Sequence, residues 1–141
     1  MDLASMRILL DFGLMVLIWI IQLVVYPGLC YYPRRELDSW HKLYKNRIAL
    51  IVAPLMLAQL AVVVFQFTSI QNVYTVLSLG MVLCLWILTF LIFVPLHNSI
   101  NPDESCDEIT TELVQKNWWR TILWTLLFTL SLVFKISDYN F

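Results

Sequence analysis

The chain has 141 residues, 60% of them hydrophobic and only 13% charged, with a formal net charge of −1. A soluble domain carries about 25% charged residues, so a water-soluble globular fold is set aside. No basic excess exists to hold a nucleic acid, and the three cysteines, Cys30, Cys84 and Cys106, show neither CxxC nor zinc-ligand spacing.

Four apolar stretches, 6–26, 48–67, 73–94 and 118–136, are long enough to cross a hydrocarbon core of about 30 Å at ~1.5 Å per helical residue. They must be helices, because lipid offers no partner to a backbone N–H or C=O. The first is read as a mature helix. Its apolar run exceeds the ~7–15 residues of a signal peptide, and no A-x-A site follows. The expected fold is all-α: one domain over residues 1–141, a polytopic membrane protein built as an antiparallel four-helix transmembrane bundle with two interfacial amphipathic helices.

In the first span, Asp11 and Gln22 are close to three full turns apart and share a face with Met15 and Ile18. That face should point into the bundle. Arg7 precedes Asp11 by four residues, so an ion pair competes with a functional carboxylate. A lone charge near the centre of the bilayer costs about 2.5–3.5 kcal/mol.

The loop 27–47 opens on Pro27 and Pro33, which should break the first helix. Asp38 or Ser39 can cap a new one. Leu37, Trp40, Leu43, Tyr44 and Ile48 then form an apolar stripe that would lie in the membrane interface and run into the second span. That span carries Gln59 and Pro54, and the proline should kink it. The turn 67–73 is short enough only for a hairpin. Cys84 in the third span suits a small apolar packing role.

His97 closes the third span, followed by Asn98. Pro95 and Pro102 bound the second loop, and Asp103, Glu104, Asp107 and Glu108 suit the first turn of a further helix. Asn117, Trp118, Trp119 and Arg120 open the fourth span. The tryptophans fit an aromatic belt, and Arg120 would either snorkel to headgroups or hold a carboxylate or phosphate. The halves look alike: helix, proline-bounded loop, amphipathic ramp, Lys-Asn, helix.

Seven basic residues, Arg34, Arg35, Lys42, Lys45, Arg47, Lys116 and Arg120, belong to the long-loop side, against Arg7 and Lys135 on the other. Positive loops stay inside. This predicts a multi-pass protein of the cell inner (plasma) membrane, with long loops cytoplasmic and both termini outside.

Both histidines fall in the long loops. Imidazole titrates near neutral pH and is the commonest neutral metal ligand. His41, His97 and Tyr44 are therefore the catalytic candidates, and His41 with His97 the metal candidates, for haem or another transition metal. The bland alternative has His97 capping a helix C-terminus and His41 as an interfacial polar residue. Gln22, Arg47, Gln59, Asn98, Asn117 and Arg120 are the candidate substrate contacts. GxSxG, P-loop and GxGxxG signatures are missing.

The polar skeleton runs Trp19-x-x-Gln22-x-x-x-Tyr26-Pro27, Trp40-His41-x-x-Tyr44-x-x-Arg47-Ile48, Pro54-Leu55-Met56-x-x-Gln59, Val94-Pro95-Leu96-His97-Asn98 and Asn117-Trp118-x-Arg120-Thr121. It resembles a group of small bacterial four-helix membrane proteins and, more distantly, is similar to the anthrone-oxygenase-like proteins. The distant resemblance implies cofactor-independent or metal-assisted oxygenation of an aromatic substrate. It assigns no catalytic residue here. The histidine and lysine motifs of bacterial haem-binding protoporphyrinogen oxidase do not match.

The expectation is a pocket at the cytoplasmic membrane face that binds or oxidises a quinone, a porphyrin or an aromatic metabolite. The rival is a non-enzymatic accessory subunit of a larger membrane complex. Expected partners are membrane lipids and a membrane protein or a second copy of the chain.

Overall fold

A computed structural model describes the backbone of residues 2–31, 34–95 and 106–139, and the side chains of 2–29, 31, 43–95 and 111–137. Helix α1 (Leu3–Ile20) starts at Asp2, whose carboxylate accepts the Ser5 N–H at 2.8 Å. It continues through a π turn (Ile21–Val25), a short helical turn (Tyr26–Gly28) and a 3₁₀ turn (Leu29–Tyr31). Helix α2 spans Arg34–Ser69, and α3 spans Val73–Leu88 followed by a second π turn, Thr89–Phe93. Helix α4 spans Cys106–Tyr139. Among the described residues, four segments are long and apolar enough to cross a membrane: Leu3–Gly28, Leu43–Ser69, Val73–Phe93 and Thr111–Ser137.

The prolines act differently from expectation. Pro27 does not end the first helix. The chain widens just before it, and the Tyr26 N–H bonds the carbonyl of Ile21, five residues back. The reason is local. A proline ring collides with the carbonyl four residues earlier and offers no N–H to it. The same device precedes Pro95, where the Val94 N–H bonds the Thr89 carbonyl. Each π turn thus ends two residues ahead of a proline. Pro54, by contrast, sits exposed inside an α2 that stays helical on both sides of it.

Helix α2 begins at Arg34, upstream of Asp38 and Ser39, so those residues lie within the helix and do not cap it. The amphipathic stretch is continuous with the second span. Likewise α4 starts at Cys106, with Asp107 and Glu108 in its first turn, where carboxylates favour the helix dipole. Between α2 and α3, Asn72 and Thr75 form a reciprocal capping box. The two halves share one layout: a helix ending in a π turn before a proline, then one long helix.

Helix α1 packs against α4 and α2, and α3 packs against α2 and α4. Apolar side chains occupy both the inside and the outside. Leu14, Ile18, Val82, Leu85 and Leu127 are buried, while Leu9, Leu23, Leu50, Phe65 and Leu91 are exposed. Lipid tails are as apolar as leucine, so hydrophobicity alone cannot choose which face turns inward. The buried polar residues make that choice: Arg7, Asp11, Gln22, Gln59, Asn117, Arg120, Thr121 and Ser131.

Candidate functional site

Among the described residues, three polar assemblies lie between the helices. The first gathers around Asp11. Arg7 Nε donates to Asp11 Oδ2 at 2.7 Å, four residues apart on one helix face, and both side chains are fully buried. Gln59 Nε2 donates to Asp11 Oδ1 at 2.7 Å, and Ser131 Oγ donates to Oδ2 at 2.5 Å. Arg7 Nη1 also reaches Gln66 Oε1 at 3.2 Å, and its guanidinium lies 5.9 Å from the Tyr74 ring centroid. Both oxygens of this carboxylate are engaged as acceptors by neighbouring helices, an arrangement that serves cohesion.

The second assembly is the seam of α1 with α4. Asn117 Nδ2 donates to Gln22 Oε1 at 2.7 Å, and Gln22 Nε2 donates to the Val114 carbonyl at 3.2 Å. About one turn back along α1, Trp19 Nε1 donates to Thr125 Oγ1 at 3.1 Å, and the Trp19 ring meets Trp118 edge-on at 5.7 Å. Gln22 is satisfied at both ends of its amide, whereas the buried Oδ1 of Asn117 has no hydrogen-bond partner among the described residues; the pair ties two helices together.

The third assembly is open. Arg120 is 6% exposed, ten residues into a membrane span. It does not snorkel, which corrects the headgroup-anchoring expectation. Its guanidinium carbon lies 4.2 Å from the Phe93 ring centroid and 5.3 Å from that of Trp124, with Tyr26 in hydrogen-bonding reach. Cation–π contacts of this kind contribute about 0.5–2 kcal/mol each and rise on desolvation. They replace part of the hydration that Arg120 has lost. The buried Nε of Arg120 has no hydrogen-bond partner among the described residues.

Beside Arg120 lies a cleft of about 440 Å³, within the ~300–1,000 Å³ of small-molecule sites. Its floor is Ile21, Tyr26, Phe93 and Met56, all buried. Its mouth runs between α2 and α3, past Ala49, Ala53, Leu57 and Phe90, all exposed. Trp86, also in the wall, has a buried indole N–H with no partner among the described residues. Tyr44 and Lys45 stand where α2 enters the span.

Two backbone irregularities and one proline border this cleft. Ile21 opens the π turn of the first helix, Thr89 to Phe93 form that of the third, and Val52 to Met56 bracket Pro54. π turns inside α-helices occur often at functional sites. Here their effect is concrete. An extra residue per turn swings Tyr26 onto Arg120 and brings Phe93 over its face.

Of the sequence-predicted contacts, the structure therefore brings Tyr44 and Arg120 to one cavity. Gln22 and Asn117 go to the α1–α4 seam, Gln59 goes to Asp11, and Arg47 is exposed outside the cleft lining. The His41 side chain, His97 and Asn98 lie outside the described residues. Among the described residues, no group of three or more His, Cys, Asp or Glu side chains is placed to hold a metal. Sequence reasoning missed Tyr26, Trp86 and Phe93. The available signal was the pair of X-Pro steps, Tyr26-Pro27 and Val94-Pro95, each locating a widened turn. No protein-family model, no curated protein and no solved structure matches the chain.

Proposed function

We propose that the cleft beneath Arg120 binds a lipid-soluble ligand that enters sideways from the bilayer between α2 and α3. The observation that carries this reading is a buried arginine, unsatisfied at Nε, at the wall of an apolar cleft whose mouth lies between α2 and α3. A bundle that needed only cohesion would gain nothing from such a residue. A charge at this depth costs about 2.5–3.5 kcal/mol, and an apolar replacement would remove that cost.

The polar groups in the wall match one kind of ligand. Arg120, Lys45 and the Trp86 N–H are donors without acceptor capacity, the Tyr26, Tyr44 and Thr89 hydroxyls can donate or accept, and none of the described lining residues is acidic. The ligand should then present an acceptor, such as the carbonyls of a quinone or the oxygen of an aromatic metabolite. Its apolar body would lie along Ile48, Val52 and Phe90. In the same reading the bundle is antiparallel, the long loops face the cytoplasm, and the two ramps lie in the interface. In that reading His41 and His97 are the residues that would bind a metal or move protons. Oxidation of the ligand would follow only from that second step; binding does not need it.

The test is native mass spectrometry of the protein released from mild detergent, beside organic extraction of the purified sample. A discrete apolar adduct is expected on the wild type and not on Ala53→Phe, which fills the mouth. Identical spectra and extracts from the two proteins would sink the proposal.

A further inference from the structure

The geometry points to the charge of that ligand: its head is an oxyanion, a carboxylate or a phosphate, seated on the Nε edge of Arg120, with a single apolar chain leaving between α2 and α3. This rests on the binding reading above and goes beyond it, because a neutral acceptor such as a quinone would satisfy the donors equally well.

Charge balance separates the two. Within the described part of the spans, Arg7 is neutralised by Asp11 at 2.7 Å and Lys116 by Glu112 at 2.6 Å. Lys135 pairs with Asp2. Arg120 has no carboxylate within ion-pair distance among the described residues. What surrounds it is Phe93, Trp124, Tyr26 and Tyr44: ring faces and phenol oxygens. These soften the burial of a cation without cancelling its charge. A neutral head would leave Arg120 without a counter-charge among the described residues, whereas an oxyanion supplies one. The guanidinium edge is also a planar two-donor fork that fits a carboxylate or phosphate.

The shape of the cleft limits the rest of the ligand. The cavity is about 440 Å³, and its lining beyond Arg120 and Lys45 is dominated by Ile48, Val52, Ala53, Met56 and Phe90. The small side chains Ala49 and Ala53, one turn apart on α2, leave the gap through which a chain passes to the lipid. Both are exposed.

The experiment is equilibrium binding to detergent-solubilised protein, with four probes of equal chain length: an alkanoic acid, its methyl ester, an alkyl phosphate, and an alkyl-substituted quinone. The acid, the phosphate or both should bind at least about tenfold more tightly than the ester and the quinone, as hydrogen bonds to a charged partner outweigh neutral ones by that order. Which anion binds identifies the head. Arg120→Gln should erase the preference for the anion. Arg120→Lys keeps the charge and should retain it, which covers the case in which Arg120→Gln fails to fold. Ala53→Phe should weaken every probe together. Ester or quinone binding as tightly as the acid, and blocked by Ala53→Phe, would overturn the oxyanion head and leave the binding site standing. Binding of no probe, or binding indifferent to Ala53→Phe, would overturn both.

Discussion

Gln59 Nε2 donates to Asp11 Oδ1 at 2.7 Å, tying α2 to α1 across 48 residues of sequence. The same carboxylate accepts from Arg7 and Ser131, and Gln59 Oε1 accepts the Trp124 N–H at 3.4 Å. Tyr74 of α3 joins through Ser131 Oγ at 3.4 Å. One aspartate therefore organises contacts from four helices. The Trp124 ring on the other side lies against Arg120, so the cohesive cluster also sets one wall of the cleft's guanidinium site.

Replacing Asp11 by alanine should be severely destabilising. It strands Arg7, whose Nη2 already has no partner among the described residues, as a buried charge without its counter-ion. Breaking one half of a buried pair costs about 3–5 kcal/mol, whereas replacing both halves by apolar residues is often near neutral. Arg7→Leu with Asp11→Leu should therefore be more stable than Asp11→Ala alone. Thermal unfolding in detergent compares them. A single mutant as stable as wild type would show that the pair carries no stability.

The Gln22–Asn117 bond calls for a gentler outcome. Interhelical hydrogen bonds in membranes average about 0.6 kcal/mol and reach about 1.7. A double-mutant cycle with Gln22→Leu and Asn117→Leu should give a favourable coupling of that size. Binding to the cleft should be unaffected in both single mutants, since neither residue lines it. Loss of ligand binding without loss of stability would return these two residues to the site, where the sequence had placed them.

The spans were legible because their cause is one-dimensional: about 20 apolar residues and few charges suffice to identify a membrane helix. The inward face of α1 was legible too, since Asp11 and Gln22 are three turns apart and lipid rejects both. Their partners were not. Nothing in the spacing distinguishes a glutamine that meets another helix from one that meets a ligand, so Gln22, Gln59 and Asn117 were read as substrate contacts. For Arg120 the sequence left headgroup anchoring and anion binding both open, because one of the two rings that receive it, Phe93, is a long way off in sequence. Tyr26 was missed because a uniform 3.6-residue period cannot anticipate a π turn, which shifts every later residue around the helix.

The contact of Lys135 with Asp2 joins the end of α4 to the start of α1, outside or at the edge of the spans. The Lys135 ammonium, and then the Ser5 hydroxyl and N–H, hold the Asp2 carboxyl well below the usual carboxylate range. A carboxyl whose folded pKa is depressed stabilises the fold above its unfolded pKa, about 3.9, and that contribution disappears as pH falls through the folded value. Amide exchange at Ser5, corrected for the intrinsic rate, should thus be flat from pH 7 to about 5 and lose protection only below about pH 4. Asp2→Asn should remove the acid dependence while keeping a capping side chain. Protection lost already near pH 6 would point to a histidine and away from Asp2.

The two π turns make a geometric prediction of their own. A π turn closes its hydrogen bond over one residue more than an α turn, so Ile21–Val25 holds one residue that a regular helix would omit. Val24, in that turn, is 64% exposed and touches no described partner by side-chain hydrogen bond. Deleting Val24 together with Pro27→Ala, which restores an N–H and removes the ring, should let the first helix run as regular α through Gly28. Residues on either side would keep their faces, and Tyr26 would still meet Arg120. Deleting Val16 in the same Pro27→Ala background removes a residue from regular α-helix. All residues to one side then rotate by about 100° relative to the other, separating Asp11 from Gln22 on the helix surface. The first protein should unfold cooperatively near the Pro27→Ala parent and retain the cleft. The second should lose either the Asp11 cluster or the Gln22–Asn117 seam, and its fold with it. Equal damage from the two deletions would mean that the π turn is no removable insertion, and that the widened backbone at Ile21–Val25 is needed for the helix to pass Pro27 at all.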